Sequence, residues 1–349
     1  MFTSRHATIP SLVRVKPGAL DRLGIYAERN HFKKVILFVS QDLRAELKLR
    51  VTNSLDVGAL DILETYEVSS VGFEETMQIF GRVPDKADVI IGFGGGKALD
   101  VAKYTAFLAG LPYLAVPTSL SNDGLCSPQS SLTMGGHRKS LASTMPVGVV
   151  IDTEVCMGAP EILWHAGVGD VMAKFTAVLD WKLAFHAKGT PLDDFAALLS
   201  DASVYQFVGR PERSIEGMKL LGTTLMLNGI SMAIAGSSRP ASGSEHLISH
   251  ALDSLSERPR LHGLQVGVAT YLMSLIHGEH SELIAKVFTT TGFWKTIAND
   301  PFDVSEWLKA VEVAPSIKPD FYSILSEKNC LPDIQKAIRL DPYLQRCFR

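Results

Sequence analysis

Residues 87–103, ADVIIGFGGGKALDVAK, run from an apolar stretch through three consecutive glycines into a segment with helical spacing. Val89, Ile90, Ile91 and Phe93 form a continuous rather than alternating apolar run, which predicts a strand covered on both faces, as in a parallel sheet. Gly94, Gly95 and Gly96 let a backbone come close to a ligand, and the helix start behind them offers bare N–H groups to a phosphate. The spacing is neither G-x-G-x-x-G nor the Walker pattern, since no G-K-[ST] follows. A tight strand-to-helix turn is the other use of the same glycines.

Outward from this segment, short apolar runs at 33–40 (KKVILFVS), 61–68, 111–119 and 146–153 predict further strands. Helical patterns fall between them at Leu43–Leu55, Glu74–Val83 and Ala98–Leu108. Strand and helix in alternation predict an α/β domain with a parallel sheet. After Ala159-Pro160 the pattern turns helical, with stretches at Asp170–Lys188, Leu192–Val208, Arg213–Ala235, Gly243–Leu255, Leu264–His277 and Ser305–Val313. The expected division is an α/β domain at 1–158 and an all-α domain at 159–349, with the chemistry in the cleft between them.

Composition excludes several classes. Of 349 residues 46% are hydrophobic and 20% charged, so a disordered chain is ruled out, and a net charge of −3 gives no basic footprint for nucleic acid. Cys126, Cys156, Cys330 and Cys347 lie far apart with no C-x-x-C, which predicts reduced, buried thiols. MFTSRHATIPSLVRVKPG lacks the apolar core of a secretory signal. The uncharged runs Tyr104–Asn122 and Leu220–Ser238 are interrupted by prolines in one and by Asn228 and glycines in the other, so no membrane span and a cytoplasmic location are expected.

Three more segments carry polar groups. Val116-Pro117-Thr118-Ser119-Leu120-Ser121-Asn122-Asp123-Gly124 follows a strand end, where open α/β sheets bind ligands, although the same residues make ordinary turns. Gly167-Val168-Gly169-Asp170 places Asp170 in the first turn of a helix, as a cap or a dipole-compensating charge. In Ser238–His250, SRPASGSEHLISH, Ser242-x-x-Glu245 reads as a capping box that starts a helix near Gly243. His246 and His250 then share one helical face, with Arg239 just ahead of the N-terminus and His262 sixteen residues beyond His246. Imidazoles plus a carboxylate suit zinc or ferrous iron; buried structural histidines are the alternative.

These segments, together with 159–170 (APEILWHAGVGD), 179–184 (LDWKLA) and 261–270 (LHGLQVGVAT), resemble the superfamily of iron-containing (group III) alcohol dehydrogenases, glycerol dehydrogenases and dehydroquinate synthases. The glycerol-1-phosphate dehydrogenase family is the branch of closest likeness. The resemblance implies a Rossmann-like N-terminal domain, a helical C-terminal domain, NAD or NADP, and one divalent metal (zinc, with iron or nickel as alternatives). It implies Asp170, His246 and His262 as metal ligands, and His250 beside the nicotinamide. Gly94, Gly95, Gly96 and Asp100 match the pyrophosphate loop; Thr118, Ser119, Ser121 and Ser127 fall on the nicotinamide side. Asp123 matches a substrate-pocket aspartate, and with His250 it is a proton-relay candidate. Lys174 stands where some members carry a further histidine; with Arg239 it is a candidate for an anionic substrate. Asp42, just past the strand at 35–40, is the candidate for the adenosine ribose. The implied activity is reduction of dihydroxyacetone phosphate to sn-glycerol 1-phosphate by a homo-oligomer. Another polyol or polyol-phosphate dehydrogenase, or a sugar-phosphate cyclase, is the alternative.

Overall fold

Continuous apolar strands do assemble into one parallel sheet in the computed structural model, which describes residues 7–349. The strands are β1 (Leu12–Lys16), β2 (Lys34–Ser40), β3 (Asp61–Val68), β4 (Val89–Gly94), β5 (Tyr113–Pro117), β6 (Gln129–Met134), β7 (His137–Ala142) and β8 (Gly148–Asp152). Six of them pair in the order β1-β8-β5-β4-β2-β3, with every pairing parallel. β4, β5 and β8 are buried at every residue, as their unbroken apolar character requires. Val35, Leu37, Val39, Val89, Ile91, Phe93, Leu114, Val116 and Val150 belong to one core, each stabilising the fold by about 1.5–3 kcal/mol.

Helices α1 (Leu23–Glu28), α2 (Ala45–Val57), α3 (Phe73–Phe80), α4 (Gly96–Ala109) and α5 (Thr153–Met157) accompany the sheet. Buried Asp152 accepts hydrogen bonds from the N–H groups of Glu154 and Val155, which caps α5, and from Leu20 N–H, which ties down the segment after β1. Two elements were not expected. β1 is an edge strand: only Leu12 is buried, Val13 and Val15 are half-buried, and Arg14 and Lys16 are exposed, which weakens its apolar signal. β6 and β7 form an antiparallel hairpin closed by Gly135 and Gly136, both at positive φ, the geometry a two-residue turn needs.

The remaining helices are α6 (Glu161–Lys188), α7 (Asp194–Val208), α8 (Ile215–Ala235), α9 (Ser244–Leu255), α10 (His262–His277), α11 (Ser281–Thr291), α12 (Phe293–Asn299), α13 (Val304–Ile317), α14 (Ile324–Glu327) and α15 (Leu331–Leu340). Packing divides the chain into two units, one running to Ala159 and including Ser214–Ala233, the other Pro160–Arg213 with Ile234–Arg349. The expected contiguous division at 159–349 is therefore corrected at α8, which returns to the first unit. Its glycines explain this: a Cβ on Gly229 would lie 2.3 Å from the Cys126 carbonyl oxygen, and one on Gly222 would lie 3.0 Å from Ile151. The second unit is helical throughout its named elements.

Two helices, α6 and α8, are long and apolar enough to cross a membrane by length and composition; 83% and 61% of their apolar windows are buried in the fold. The four cysteines are buried, and burial raises the Cys126 and Cys347 thiols to about 12. Thiol titration at pH 8 is accordingly expected to find no fast-reacting group in native protein and four after unfolding. One or more rapid native thiols would contradict the burial.

Candidate functional site

In the first unit the glycines split into two roles. Gly94 closes β4 at φ +151, and a Cβ there would sit 2.2 Å from Ser40 Oγ, so it is glycine for close approach. Gly95, the N-cap of α4, and Gly96 face open space instead, with Ser119 Oγ and Asn122 Nδ2 as the nearest atoms at 3.9 and 3.8 Å. No side chain caps this fourteen-residue helix, so its first-turn N–H groups point at the space. Unpaired N–H groups at a helix start favour an anion there. Ser40 Oγ accepts from Gly95 N–H at 3.1 Å, and Thr118 N–H donates to Gly94 O at 3.0 Å, which ties the ends of β2, β4 and β5 together.

Thr118, Ser119 and Ser127 are buried, Ser121 and Asp123 half-buried. Asn122 accepts from Gly124 N–H and so caps the short turn Asp123–Cys126. Asp100 lies one turn into α4, with Lys103 Nζ 3.8 Å away. Lys103, unassigned in the sequence analysis above, is fully buried and donates to the carbonyls of Gly124 (2.6 Å) and Ser127 (3.2 Å). It thereby fixes the loop of polar residues to α4. Asp42 is exposed, two residues past the end of β2.

The second unit brings together Asp170, His246 and His262. One ligating atom from each lies within 4.8 Å of the others. Asp170 Oδ1 is 3.5 Å from His246 Nε2 and 3.9 Å from His262 Nε2, close to the edge of about 3.4 Å expected for a tetrahedron with bonds of ~2.1 Å. Burial opposes ionisation of Asp170, but the Lys174 ammonium and the two imidazoles hold its carboxyl well below the usual range. For His246, burial acts against the charged form, while hydrogen bonds with Asp170 and Glu245 raise its pKa overall. An anionic donor near two imidazole nitrogens is a set that could hold a divalent ion.

Glycines also build this cluster. Asp170 sits well inside α6, not in a first turn as expected, because Gly169 serves a helix crossing rather than a helix start. A Cβ on Gly169 would lie 1.9 Å from Gly263 O, and one on Gly263 would lie 1.9 Å from Ala166 O. α6 and α10 thus meet backbone to backbone beside Asp170 and His262. The capping-box expectation also changes: α9 is N-capped by Gly243 without a side-chain bond, and Ser242 plays no capping part.

Glu245 instead accepts from Gly243 N–H and Thr176 Oγ1–H, and its Oε1 lies 2.9 Å from His246 Nδ1. Donation of Nδ1–H to Glu245 would leave Nε2, on the Asp170 side of the ring, as the nitrogen available to a divalent ion. Ser249 Oγ stands in the same relation to His262 Nδ1 at 3.2 Å and itself accepts from Gln265 Nε2. Sequence reasoning missed both partners; a carboxylate directly before a candidate ligand histidine was the available signal. Glu245→Gln is expected to weaken divalent-metal affinity by about 10- to 100-fold with the helix content unchanged. Chelator competition checks it, and unchanged affinity would reduce Glu245 to a helix-start residue.

His250 is half-buried, its ring centroid 6.5 Å from that of His246 and 5.9 Å from that of His262. Lys174 is fully buried, its Nζ 3.7 Å from Asp170 Oδ1 and donating to Ala241 O at 3.1 Å. Arg239 is only 5% exposed; its guanidinium lies 3.6 Å from the Phe321 ring centroid and donates to Tyr322 O.

The family model described as iron-containing alcohol dehydrogenase matches residues 14–160. A glycerol-1-phosphate dehydrogenase (NAD(P)+) of Methanothermobacter thermautotrophicus is 33% identical over 332 residues, covering 93% of this chain and 94% of the relative. The enzyme of the same name from Aeropyrum pernix is 34% identical over 350 residues, covering 97% and 98%. Among solved structures, a glycerol dehydrogenase from Schizosaccharomyces pombe superposes with a TM-score of 0.79 at 19% identity, over 99% of this chain and 92% of that one. At that identity the likeness speaks for the fold.

Proposed function

The chain belongs to the glycerol-1-phosphate dehydrogenase family of iron-containing alcohol dehydrogenases, and from that premise we propose that it reduces dihydroxyacetone phosphate to sn-glycerol 1-phosphate with NAD(P)H. It is an oxidoreductase of the alcohol dehydrogenase type. The observation that carries the reading is the Asp170–His246–His262 cluster, with both imidazoles oriented from behind.

Zinc is the proposed ion, since one carboxylate and two imidazoles are donors it takes, and iron or nickel suits the same donors less specifically. When bound, the nicotinamide supplies hydride and the divalent ion polarises the ketone oxygen. The chain's own part is to place and protect these events. The first-turn N–H groups of α4, with Gly95 and Gly96, hold the pyrophosphate; Thr118, Ser119, Ser121 and Ser127 orient the nicotinamide end. Ser40 ends β2 at the glycine loop without an acidic group, so neither NAD nor NADP is repelled by it; Asp42 is the proposed ribose contact if NAD is preferred.

Proton delivery to the product hydroxyl is assigned to His250 through a ring nitrogen, with Asp123 as the substrate-side carboxylate. Lys174, fully buried against Asp170 and the Ala241 carbonyl, is proposed to act on the charge of the site through Asp170 rather than by meeting a substrate anion itself. The test is NADH and NADPH oxidation by zinc-loaded protein with dihydroxyacetone phosphate and with dihydroxyacetone, with and without chelator. Chelator-sensitive turnover of the phosphorylated ketone, with sn-1 product on chiral analysis, is the expected result. Turnover of neither ketone by protein that binds both zinc and NADH would overturn the reaction while leaving the fold and the metal site.

A further inference from the structure

α6 does more than contribute Asp170. It holds the segment leading into His246 at successive points: Lys174 donates to Ala241 O, Thr176 donates to Glu245, and Asp180 accepts from Ser244 N–H at 2.6 Å. Gly243 lies so close that a Cβ there would meet Ala177 Cα at 2.9 Å and Asp180 Oδ2 at 2.7 Å. Asp180 is fully buried, and its second oxygen accepts from Ile324 N–H at 2.8 Å, with His277 Nε2 of α10 3.2 Å away. One carboxylate thus anchors the first residue of α9, two residues before His246, and the first residue of α14, 144 positions along the chain.

The segment before α14 is gripped a second time. Arg239, in the loop ahead of α9, stacks on Phe321 and donates to Tyr322 O. Residues 321–324 are therefore held between Asp180 from α6 and Arg239 from the approach to the metal helix. A buried carboxylate satisfied by two backbone N–H groups is a strong and rigid acceptor, since each charge-assisted bond is about twice as strong as a neutral one.

We propose that Asp180 and Arg239 are positioning residues for the metal site, and that residues 321–324 form the strap through which they fix the start of α9 and with it the aim of His246. The inference rests on the metal-site reading given above. It also gives Arg239 a role other than anion receptor, because its guanidinium is engaged with the protein's own ring and carbonyl. Neither residue is one of the three clustered donors.

Asp180→Asn keeps the side-chain volume but leaves one acceptor oxygen where two N–H groups now donate. It is expected to weaken zinc affinity about tenfold or more in chelator competition and to shift the visible bands of cobalt-substituted protein, with KM for NADH unchanged. Arg239→Met should do the same, and the double variant should lose little more than either alone, because both act through one strap. Melting curves of each variant are run alongside, with Val51→Ala in the first unit as a variant destabilised elsewhere; it should keep wild-type zinc affinity. Wild-type zinc affinity and cobalt spectrum in Asp180→Asn, despite a lowered Tm, would overturn the proposal. So would an Arg239→Met protein that keeps zinc affinity and raises only KM for the phosphorylated ketone, since Arg239 would then be a substrate residue. Failure of the wild-type protein to bind zinc or cobalt would overturn the metal-site reading and the strap together, an outcome distinct from the other two.

Discussion

Asp170→Asn is expected to leave purified protein with little bound divalent ion and to lower kcat/KM by about 10³-fold, equivalent to about 4 kcal/mol of transition-state stabilisation. Asp170 is the one anionic member of the cluster and the hub of it, since both imidazole distances are measured to its Oδ1. An amide keeps the shape and removes the charge, so the loss reports the charge. Asp170→Glu keeps the charge but adds a methylene to a fully buried position, and partial metal content with poor activity is its expected result. Metal analysis of the isolated proteins and kinetics with added zinc check both. Stoichiometric metal in Asp170→Asn, with activity within tenfold of wild type, would move the ligand set elsewhere.

Gly263→Ala should be comparably damaging although it removes no ligand. The new methyl would lie 1.9 Å from Ala166 O and 2.5 Å from its carbonyl carbon, and a backbone cannot swing aside as a side chain tip can. α6 and α10 must part, at a cost of about 3 kcal/mol or more. Asp170 follows Gly169 on one side of the crossing and His262 precedes Gly263 on the other, so separating the helices separates the donors. Gly278→Ala, at φ +77 past the far end of α10 with nothing within 4 Å, is the control, expected to lose only about 1 kcal/mol and no zinc affinity. Urea unfolding and zinc competition on the two variants make the comparison. A Gly263→Ala protein of wild-type stability and affinity would refute the close crossing.

What could be read from the sequence followed from local signals. β2, β4, β5 and β8 announced themselves because strands buried on both faces are apolar throughout. β1 and the β6–β7 hairpin did not: one is an edge strand with charges on its outer side, the other a ribbon whose second strand is nearly all exposed. The return of α8 to the first unit depends on contacts of Gly222 and Gly229 with residues about 70 to 100 positions away, which no window shows. For the candidate site, His246 and His262 were visible as residue types at suggestive spacing, but Asp170 was joined to them by family resemblance. The reason is geometric, since the partner helix is 76 positions away from His246 and its glycines imitate a turn. Glu245 and Asp180 were obscured in a different way. Each fits a generic pattern, a cap or a helix charge, while its long-range bonds, Glu245 Oε2 with Thr176 and Asp180 with Ser244 and Ile324, leave no local trace.

The three proposed donors come from α6, α9 and α10, so an ion held by them would be thermodynamically linked to the fold of the second unit. Until those helices have docked, no chain segment presents more than one of the three, so an ion has almost nothing to bind. Free ion at about 1,000 times its dissociation constant then adds about 4 kcal/mol to the unfolding free energy of that unit. For this enzyme, metal scarcity would shorten the lifetime of the protein as well as stop the reaction.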